Sequence, residues 1–226
     1  MKFVEQLSFR TNQNWRPKPT LIEEKAISFF GVCFSWGEID LTNKVLENVR
    51  FFIDAFLNQS EITNPFGYDV SLSGLENALK SGAALANDVI YRLVNKVNLS
   101  AGIECVLVAK KGREIAILQI GQPHVLLKRQ NIITPLLTSL DFLPEDLSSG
   151  LFIPHRLLGI NKTCYPHICS FALQPEDELI FLAHTFIPFS LLGDHRSNKP
   201  FILKDIFQDI VMTSPQSPFW ISQLKL

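Results

Sequence analysis

Residues 114–129, EIAILQIGQPHVLLKR, constrain the fold of this chain most, because two apolar segments there flank a single glycine. Both segments are rich in the aliphatic and β-branched residues typical of strands, and Gly121 supplies the backbone freedom that a tight turn requires. A similar segment at residues 103–109 is joined to the first by a turn that contains Gly112. We therefore expect an antiparallel meander of three strands over residues 103–129.

Two segments upstream of this meander have the period of amphipathic helices. Residues 40–58 place apolar side chains at helical spacing, which predicts one helix. Ser73 stands three residues before Glu76, the spacing of a capping box, and predicts the start of a second helix over residues 74–97. Small residues near the middle of that second helix favour close packing against a neighbour. We expect the two helices to pack together.

Further strands and a third helix are predicted toward the two ends of the chain. The predicted elements are an opening strand at 3–9, a central strand at 26–34, a hairpin of strands at 168–173 and 178–183, a helix at 203–212 and a last strand at 219–226. A loop with two prolines separates the first two strands. Residues 131–149 show no clear pattern, and the acidic and serine-rich stretch PEDLSSG at residues 144–150 predicts a surface loop. This order predicts an α+β fold in one domain over residues 1–226.

The composition excludes several functional classes. Hydrophobic residues make up 46% of the 226 residues, which is ample for a large core. A formal net charge of −1 with scattered basic residues gives no electrostatic footprint for nucleic acid. The N-terminal residues lack a signal-peptide pattern, and no uninterrupted apolar stretch is long enough to span a bilayer. We expect a cytoplasmic protein that binds neither nucleic acid nor membrane.

One segment holds a pattern of metal-ligand residues, Cys164, His167 and Cys169. An extended backbone would place the last two on one face of a strand. A structural zinc ion takes four ligands, and the segment offers no obvious fourth. We therefore expect no metal there and interpret these cysteines, with Cys33 and Cys105, as reduced core thiols.

The order of elements resembles that of the PPM-type, or PP2C-like, metal-dependent protein serine/threonine phosphatases over nearly the whole chain. The landmarks that match are Ala86-Asn87 in the second helix, Leu158-Gly159 before the predicted hairpin and the turn at residues 174–177. The resemblance implies a four-layer αββα sandwich, in which two antiparallel sheets lie between pairs of helices.

Active members of that family hold two Mg²⁺ or Mn²⁺ ions with carboxylates, and a metal-bridging water attacks the phosphate. Arg10 matches the family arginine that grips phosphate. The residues that match the acids are Asn14 (or Trp15 without a gap), Phe34, Gln122 and His184. None of these is a carboxylate, and an aromatic ring cannot coordinate Mg²⁺. The resemblance thus implies a degenerate member of the family without its metal ligands.

The function implied is that of a catalytically inactive pseudophosphatase, which works as a protein-binding or regulatory module without a metal. Its partner would be a protein, with a phosphoprotein or a kinase-pathway component as candidates. The alternative is a divergent phosphatase that uses Mg²⁺ or Mn²⁺ in a site rebuilt from Glu104, Asp177 or His184. A third possibility is an interaction domain that shares only its layering with the family.

Several aromatic residues are expected near the former metal cleft on the basis of this resemblance. They are Trp15, Phe34, Trp36 and Trp220. We expect them to fill the vacated pocket as core, with an apolar recognition surface as the alternative. His184 is expected to be a hydrogen-bonded histidine at a strand end rather than a catalytic group.

Overall fold

A computed structural model describes residues 1–10, 16–37, 40–58, 64–130, 132–139, 156–194 and 202–226. The helices are α1 Thr42–Leu57, α2 Gly74–Ile90 and α3 Leu203–Thr213. The strands are β1 Lys2–Phe9, β2 Thr20–Glu24, β3 Phe29–Gly37, β4 Ala101–Lys111, β5 Glu114–Ile120, β6 His124–Arg129, β7 Ile132–Leu137, β8 His167–Ala172, β9 Glu178–Ala183, β10 Gly193–Asp194 and β11 Phe219–Lys225.

The chain forms two compact units, each assembled from separate stretches of sequence. The five-stranded unit consists of Pro17–Gly121 and Pro154–Ala172, with strand order β2-β3-β4-β5-β8. The six-stranded unit consists of Met1–Arg16, Gln122–Ile153 and Leu173–Leu226, with strand order β1-β11-β9-β6-β7-β10. All pairings within both sheets are antiparallel. The predicted α+β fold with two antiparallel sheets is confirmed, whereas the single domain stays a prediction.

In the five-stranded unit, α1 and α2 pack together and share one apolar core with the sheet. Gly82 permits their close approach, because a Cβ atom there would lie 2.6 Å from the Val49 Cα. The predicted capping box is present, since the Glu76 backbone N–H donates to Ser73 Oγ and the Ser73 N–H donates to Glu76 Oε2. The predicted pair of helices is therefore confirmed in this unit.

The second helix ends earlier than residue 97. A single π-helical turn, Tyr91–Asn95, follows α2. The buried Asn95 amide donates to the carbonyls of Ala101 and Gly159, and its oxygen accepts from the backbone N–H groups of Ser100 and Ala101. These side-chain bonds take the place of backbone hydrogen bonds at the end of the helix, where the chain leaves it and leads to β4.

In the six-stranded unit, α3 packs on its sheet through one apolar face. Leu203, Ile206 and Ile210 are buried in a core cluster with Phe219 and Ile221 of β11. The opening strand, the third helix and the last strand all lie close to their predicted positions. Among the residues described, no helix is long and apolar enough to cross a membrane.

Two predicted strand connections are wrong. β6 does not continue the meander, because it pairs with β7 and β9 in the six-stranded sheet. Gly121, with φ +86°, therefore turns the chain from one sheet to the other instead of closing a hairpin. Likewise β8 pairs with β5 while β9 pairs with β6 and β11, so these two strands are not a hairpin.

The sequence pattern also missed three strands. β2 follows the two prolines of the predicted loop, β7 lies in the segment 131–149 for which no element was predicted, and β10 has only two residues. The predicted surface loop at residues 144–150 lies outside the described part of the chain. The central strand is confirmed as β3, which lies between β2 and β4, although it begins at Phe29 after a short 3-10 turn.

Candidate functional site

The residues that match the family acids fall in both units. Gln122 and His184 belong to the six-stranded unit, and Phe34 belongs to the five-stranded unit. Asn14 lies outside the described residues. Arg10, the predicted phosphate-binding residue, is exposed directly after β1. Each unit is therefore considered by itself.

In the six-stranded unit, strand register brings two histidines to the same end of the sheet. His124 is the first residue of β6 and pairs with Leu182, near the end of β9. His184 follows β9 directly. Because neighbouring strands lie only about 5 Å apart, this register places both imidazoles at the same end of β6 and β9. Both side chains are buried.

Arg16 joins these residues, although the sequence pattern did not predict it. Its side chain is 7% exposed, and its guanidinium donates a hydrogen bond to the Gln122 side-chain oxygen. Its charge also reaches both His124 and His184, since it lowers the pKa of each. We call Arg16, Gln122, His124 and His184 the Arg16 cluster.

His124 is held in its neutral form. Burial lowers its pKa to about 4, and the charges of His184 and Arg16 act in the same direction, while a backbone interaction with His184 opposes them. The Ser139 backbone N–H donates to His124 Nδ1 at 3.0 Å. Because Nδ1 accepts, the proton of the neutral imidazole resides on Nε2.

His184 is also held neutral, at the end of a strand. Burial lowers its pKa, the Arg16 charge adds to this effect, and a hydrogen bond with the Phe186 backbone opposes it. Nδ1 lies 3.0 Å from the Phe186 carbonyl oxygen and 3.3 Å from its backbone nitrogen. The ring meets Phe186 and Phe219 edge to face. This agrees with the expected structural role of His184.

The five-stranded unit contains the second group of candidate residues. Phe34 is fully buried, and Trp36 donates its indole N–H to Glu104 Oε2 at 3.0 Å. Glu104 is itself fully buried and presses against Gly121, where a Cβ atom would lie 2.6 Å from the glutamate Cγ. Phe34 and Trp36 are buried, and so is Trp220 in the other unit. This burial is what the interpretation of these aromatic residues as core predicted. Trp15 lies outside the described residues.

Asp177 does not join His184 in a rebuilt site. Its carboxylate accepts two hydrogen bonds from Arg129, at 2.8 and 2.7 Å, and one from the Gln174 backbone at 2.8 Å. Burial raises the pKa of Asp177, but these bonds and the Arg129 charge together hold it below its usual value. Asp177 precedes β9 whereas His184 follows it, which separates them by roughly 20 Å at the rise of a strand.

The Arg16 cluster does not fit a pair of Mg²⁺ or Mn²⁺ ions. These hard cations prefer several anionic oxygen ligands, whereas the cluster offers an amide, two imidazoles and a guanidinium. A buried guanidinium repels a divalent cation in a medium of low dielectric constant. In the described segments, no group of three or more His, Cys, Asp and Glu residues is placed to hold a metal, and these segments include Cys164, His167 and Cys169.

Comparison with known proteins relates the chain to solved structures only. No protein-family model and no curated protein sequence matches it. PppA, a key regulatory component of the type VI secretion system (T6SS) in Pseudomonas aeruginosa, has a TM-score of 0.59 at 13% identity; the match covers 98% of this chain and 96% of that one. The PPM Ser-Thr phosphatase MsPP from Mycobacterium smegmatis, solved with cacodylate, has a TM-score of 0.61 at 13% identity, covering 98% and 97%.

A third solved structure is the catalytic domain of the serine/threonine protein phosphatase PstP in complex with two manganese ions. Its TM-score is 0.54 at 13% identity, and the match covers 97% of this chain and 96% of that one. At these identities the similarity concerns the path of the backbone and not the chemistry of individual side chains. The two antiparallel sheets and the near-complete coverage confirm the predicted fold class. The chain therefore has the fold of the PPM-type, PP2C-like serine/threonine phosphatases.

Proposed function

We propose that this chain is a pseudophosphatase: a PP2C-like domain that has lost metal-dependent phosphate hydrolysis and acts as a protein-binding regulatory module. The observation that carries this proposal is the buried Arg16 guanidinium, hydrogen-bonded to Gln122 within a cluster that also contains His124 and His184. Gln122 and His184 are the residues that match family acids in this unit.

The physical argument rests on charge. A site for two divalent cations must supply negative charge that balances them. In the Arg16 cluster the matching acids have become an amide and an imidazole, and a permanent positive charge lies beside them. Because burial and Arg16 lower the pKa of both imidazoles, neither His124 nor His184 adds further positive charge at neutral pH. The cluster thus carries the positive charge of Arg16 and no negative charge, which makes it unsuited to Mg²⁺ or Mn²⁺.

The protein-binding part of the proposal is supported by three exposed apolar side chains in the five-stranded unit, which we call the interaction patch. Leu93, Val97 and Leu99, directly after α2, have 71, 88 and 68% of their surface exposed. Where such side chains adjoin on the surface, they are typical of protein-interaction sites. A regulatory role also has a precedent in PppA, which shares the fold and is described as a key regulatory component. The partner and a cytoplasmic location stay predictions.

The alternative function, a divergent phosphatase, would need carboxylates that are available for a metal. Both of its candidate carboxylates have other contacts. Glu104 accepts from the Trp36 indole, and Asp177 is bonded to Arg129. Recruiting either residue would break a buried interaction, which costs on the order of 1–3 kcal/mol.

Hydrolysis of p-nitrophenyl phosphate and of a phosphopeptide, with and without Mn²⁺, tests the loss of activity. We expect no metal-dependent turnover. Turnover that disappears in both Gln122→Ala and His184→Ala would falsify the pseudophosphatase proposal, because contaminating phosphatases would not respond to these changes.

The interaction patch has its own test. Val97→Glu should reduce the recovery of a specific partner from the native cell, whereas Met212→Glu, at a position 83% exposed in the six-stranded unit, should leave it unchanged. Equal recovery with both variants would show that the patch after α2 is not the binding surface.

A further inference from the structure

A small open cavity of about 220 Å³ lies in the five-stranded unit, and its lining includes no residue of the Arg16 cluster. Its apolar part is formed by Ile120 at the end of β5 and by Leu157, both buried. Its polar part comes from one stretch of chain and consists of Arg156, Asn161, Thr163 and Tyr165. Nothing in the proposed function uses this cavity.

The protein fixes part of the main chain that forms the polar wall of the cavity. The buried Asn87 of α2 accepts from the Gly159 N–H at 2.7 Å and donates to the carbonyls of Asn161 and Lys162 at 3.0 and 3.2 Å. Leu158 and Ile103 exchange two backbone hydrogen bonds, at 3.1 and 2.8 Å. These bonds fix the backbone of residues 158–162, so that a ligand need not order this stretch of main chain on binding, whereas the exposed side chains of the wall are ordered by the ligand.

One lining residue, Arg156, is cationic and only donates hydrogen bonds, whereas Asn161, Thr163 and Tyr165 can donate or accept. Arg156 Nη1 lies 3.2 Å from His167 Nε2. Because a guanidinium cannot accept, His167 Nε2 is the acceptor in this contact. The hydroxyls of Thr163 and Tyr165 lie 3.4 Å apart, and Asn161 adds an amide. No carboxylate is among the lining residues in the described part of the unit.

The size of the cavity limits what it can hold. Sites for drug-sized ligands and cofactors usually measure about 300–1,000 Å³, which is larger than this cavity. Its volume equals that of roughly seven water molecules, enough for one tetrahedral anion and the carbon that carries it. A nucleotide is too large for this volume, and the one cationic group of the lining, Arg156, favours a small anion.

We propose that this cavity binds a single phosphoryl group, held by Arg156 at the rim and by Asn161, Thr163 and Tyr165 along the wall. The group comes either from free inorganic phosphate or from a phosphorylated side chain of a partner protein. The site is independent of the proposed loss of hydrolysis, since it shares no residue with the Arg16 cluster.

Calorimetric titration tests the site with three ligands: inorganic phosphate, a phosphoserine peptide and the same peptide without phosphate. All titrations contain EDTA to prevent hydrolysis. We expect saturable binding of a phosphoryl ligand and no binding of the unphosphorylated peptide. A phosphopeptide that binds at least about tenfold more tightly than phosphate identifies a protein partner, and equal affinities identify the free anion. Absence of saturable binding for both at millimolar concentration overturns the proposal.

Variants locate the binding. Arg156→Gln should weaken binding by roughly tenfold or more, because it removes a charge-assisted hydrogen bond. The matched control is Arg92→Gln, since Arg92 is an exposed arginine of the same unit paired with Asp88 outside the cavity. Thr163→Val, a mild change at an exposed position, should also weaken binding. Equal loss in Arg92→Gln and Arg156→Gln contradicts a specific site.

Cys164 provides a second measurement, because its half-buried thiol lines the same cavity. The experiment uses the Cys169→Ser variant, in which Cys164 is the one half-buried cysteine left. Burial raises the pKa of Cys164 to about 11, so its alkylation is followed at mildly alkaline pH, where more of the thiol is ionised. Saturating ligand should slow the alkylation several-fold. An unchanged rate despite calorimetric binding would place the ligand elsewhere and overturn the assignment.

Discussion

The buried guanidinium of Arg16 donates a hydrogen bond to the side-chain oxygen of Gln122. The resemblance implies an acid at the position of Gln122, and the contact places a fixed positive charge there instead. This charge lowers the pKa of the two buried imidazoles, those of His124 and His184. The proposal of a lost metal site rests on this arrangement.

The first prediction concerns pH and stability. His124 has an ordinary pKa of 6.5 and a pKa of about 4 in the folded protein. The unfolded chain therefore binds more protons between these values, and the free energy of unfolding falls as pH drops from about 6.5 to 4. The full shift corresponds to about 3 kcal/mol and is reached only near pH 4. Between pH 7 and pH 5, urea unfolding should show a loss of about 2 kcal/mol.

A variant identifies the residue responsible for the pH effect. In His124→Gln the stability difference between pH 7 and pH 5 should shrink by about 1–3 kcal/mol, because the group that titrates is gone. The matched control is His167→Gln, at a half-buried histidine of the other unit, and it should retain the difference. An undiminished pH dependence in His124→Gln would contradict the buried neutral state of His124.

The second prediction compares two glycines with positive φ angles. Gly121 and Gly112 have φ values of +86° and +59°, which side chains rarely adopt. A Cβ atom at Gly121 would lie 2.6 Å from Glu104 Cγ and 2.9 Å from Oε1, whereas at Gly112 no atom lies within 4 Å. Gly121→Ala should cost roughly 2–4 kcal/mol and Gly112→Ala about 1 kcal/mol. Denaturant unfolding measures both.

Equal costs in the two glycine variants would mean that backbone strain alone acts, and that Glu104 does not press against the turn. Reversal of the order would show that the turn between β5 and β6 differs from the one described here.

The third prediction concerns Asn87, the landmark residue of α2. Asn87→Ala removes three hydrogen bonds to residues 159–162 and leaves buried backbone groups without these partners. We expect a loss of about 2–3 kcal/mol and faster proteolysis within residues 159–165. Asn43→Ala, at an exposed position of α1, should change neither. Proteolysis at an unaltered rate would contradict the anchoring role.

Helices and individual strands were predictable because their signals are local. The apolar period of α1, the capping box of α2 and the paired strands β4 and β5 each depend on neighbours in sequence. Which sheet a strand joins depends on distant residues instead. The turn at Gly121 looks the same in sequence whether it closes a hairpin or leads to another sheet. β2 escaped prediction because it is short, follows Pro19 and ends in two glutamates.

The candidate site was predictable only where the family motif fixes a position. Gln122 and His184 were identified in this way and lie in one cluster. Arg16 was missed, since a single arginine between Trp15 and Pro17 has no local pattern that distinguishes a buried cation from a solvated one. Its burial depends on residues more than a hundred positions away.

Calorimetric titration of the purified chain with Mn²⁺ tests the central claim most directly. Because a buried guanidinium and two neutral imidazoles replace an anionic site, we predict no stoichiometric heat of binding at micromolar Mn²⁺. An active PPM phosphatase, titrated in parallel, should bind the metal and serves as the positive control. Tight binding of one or two Mn²⁺ ions per chain would contradict the account.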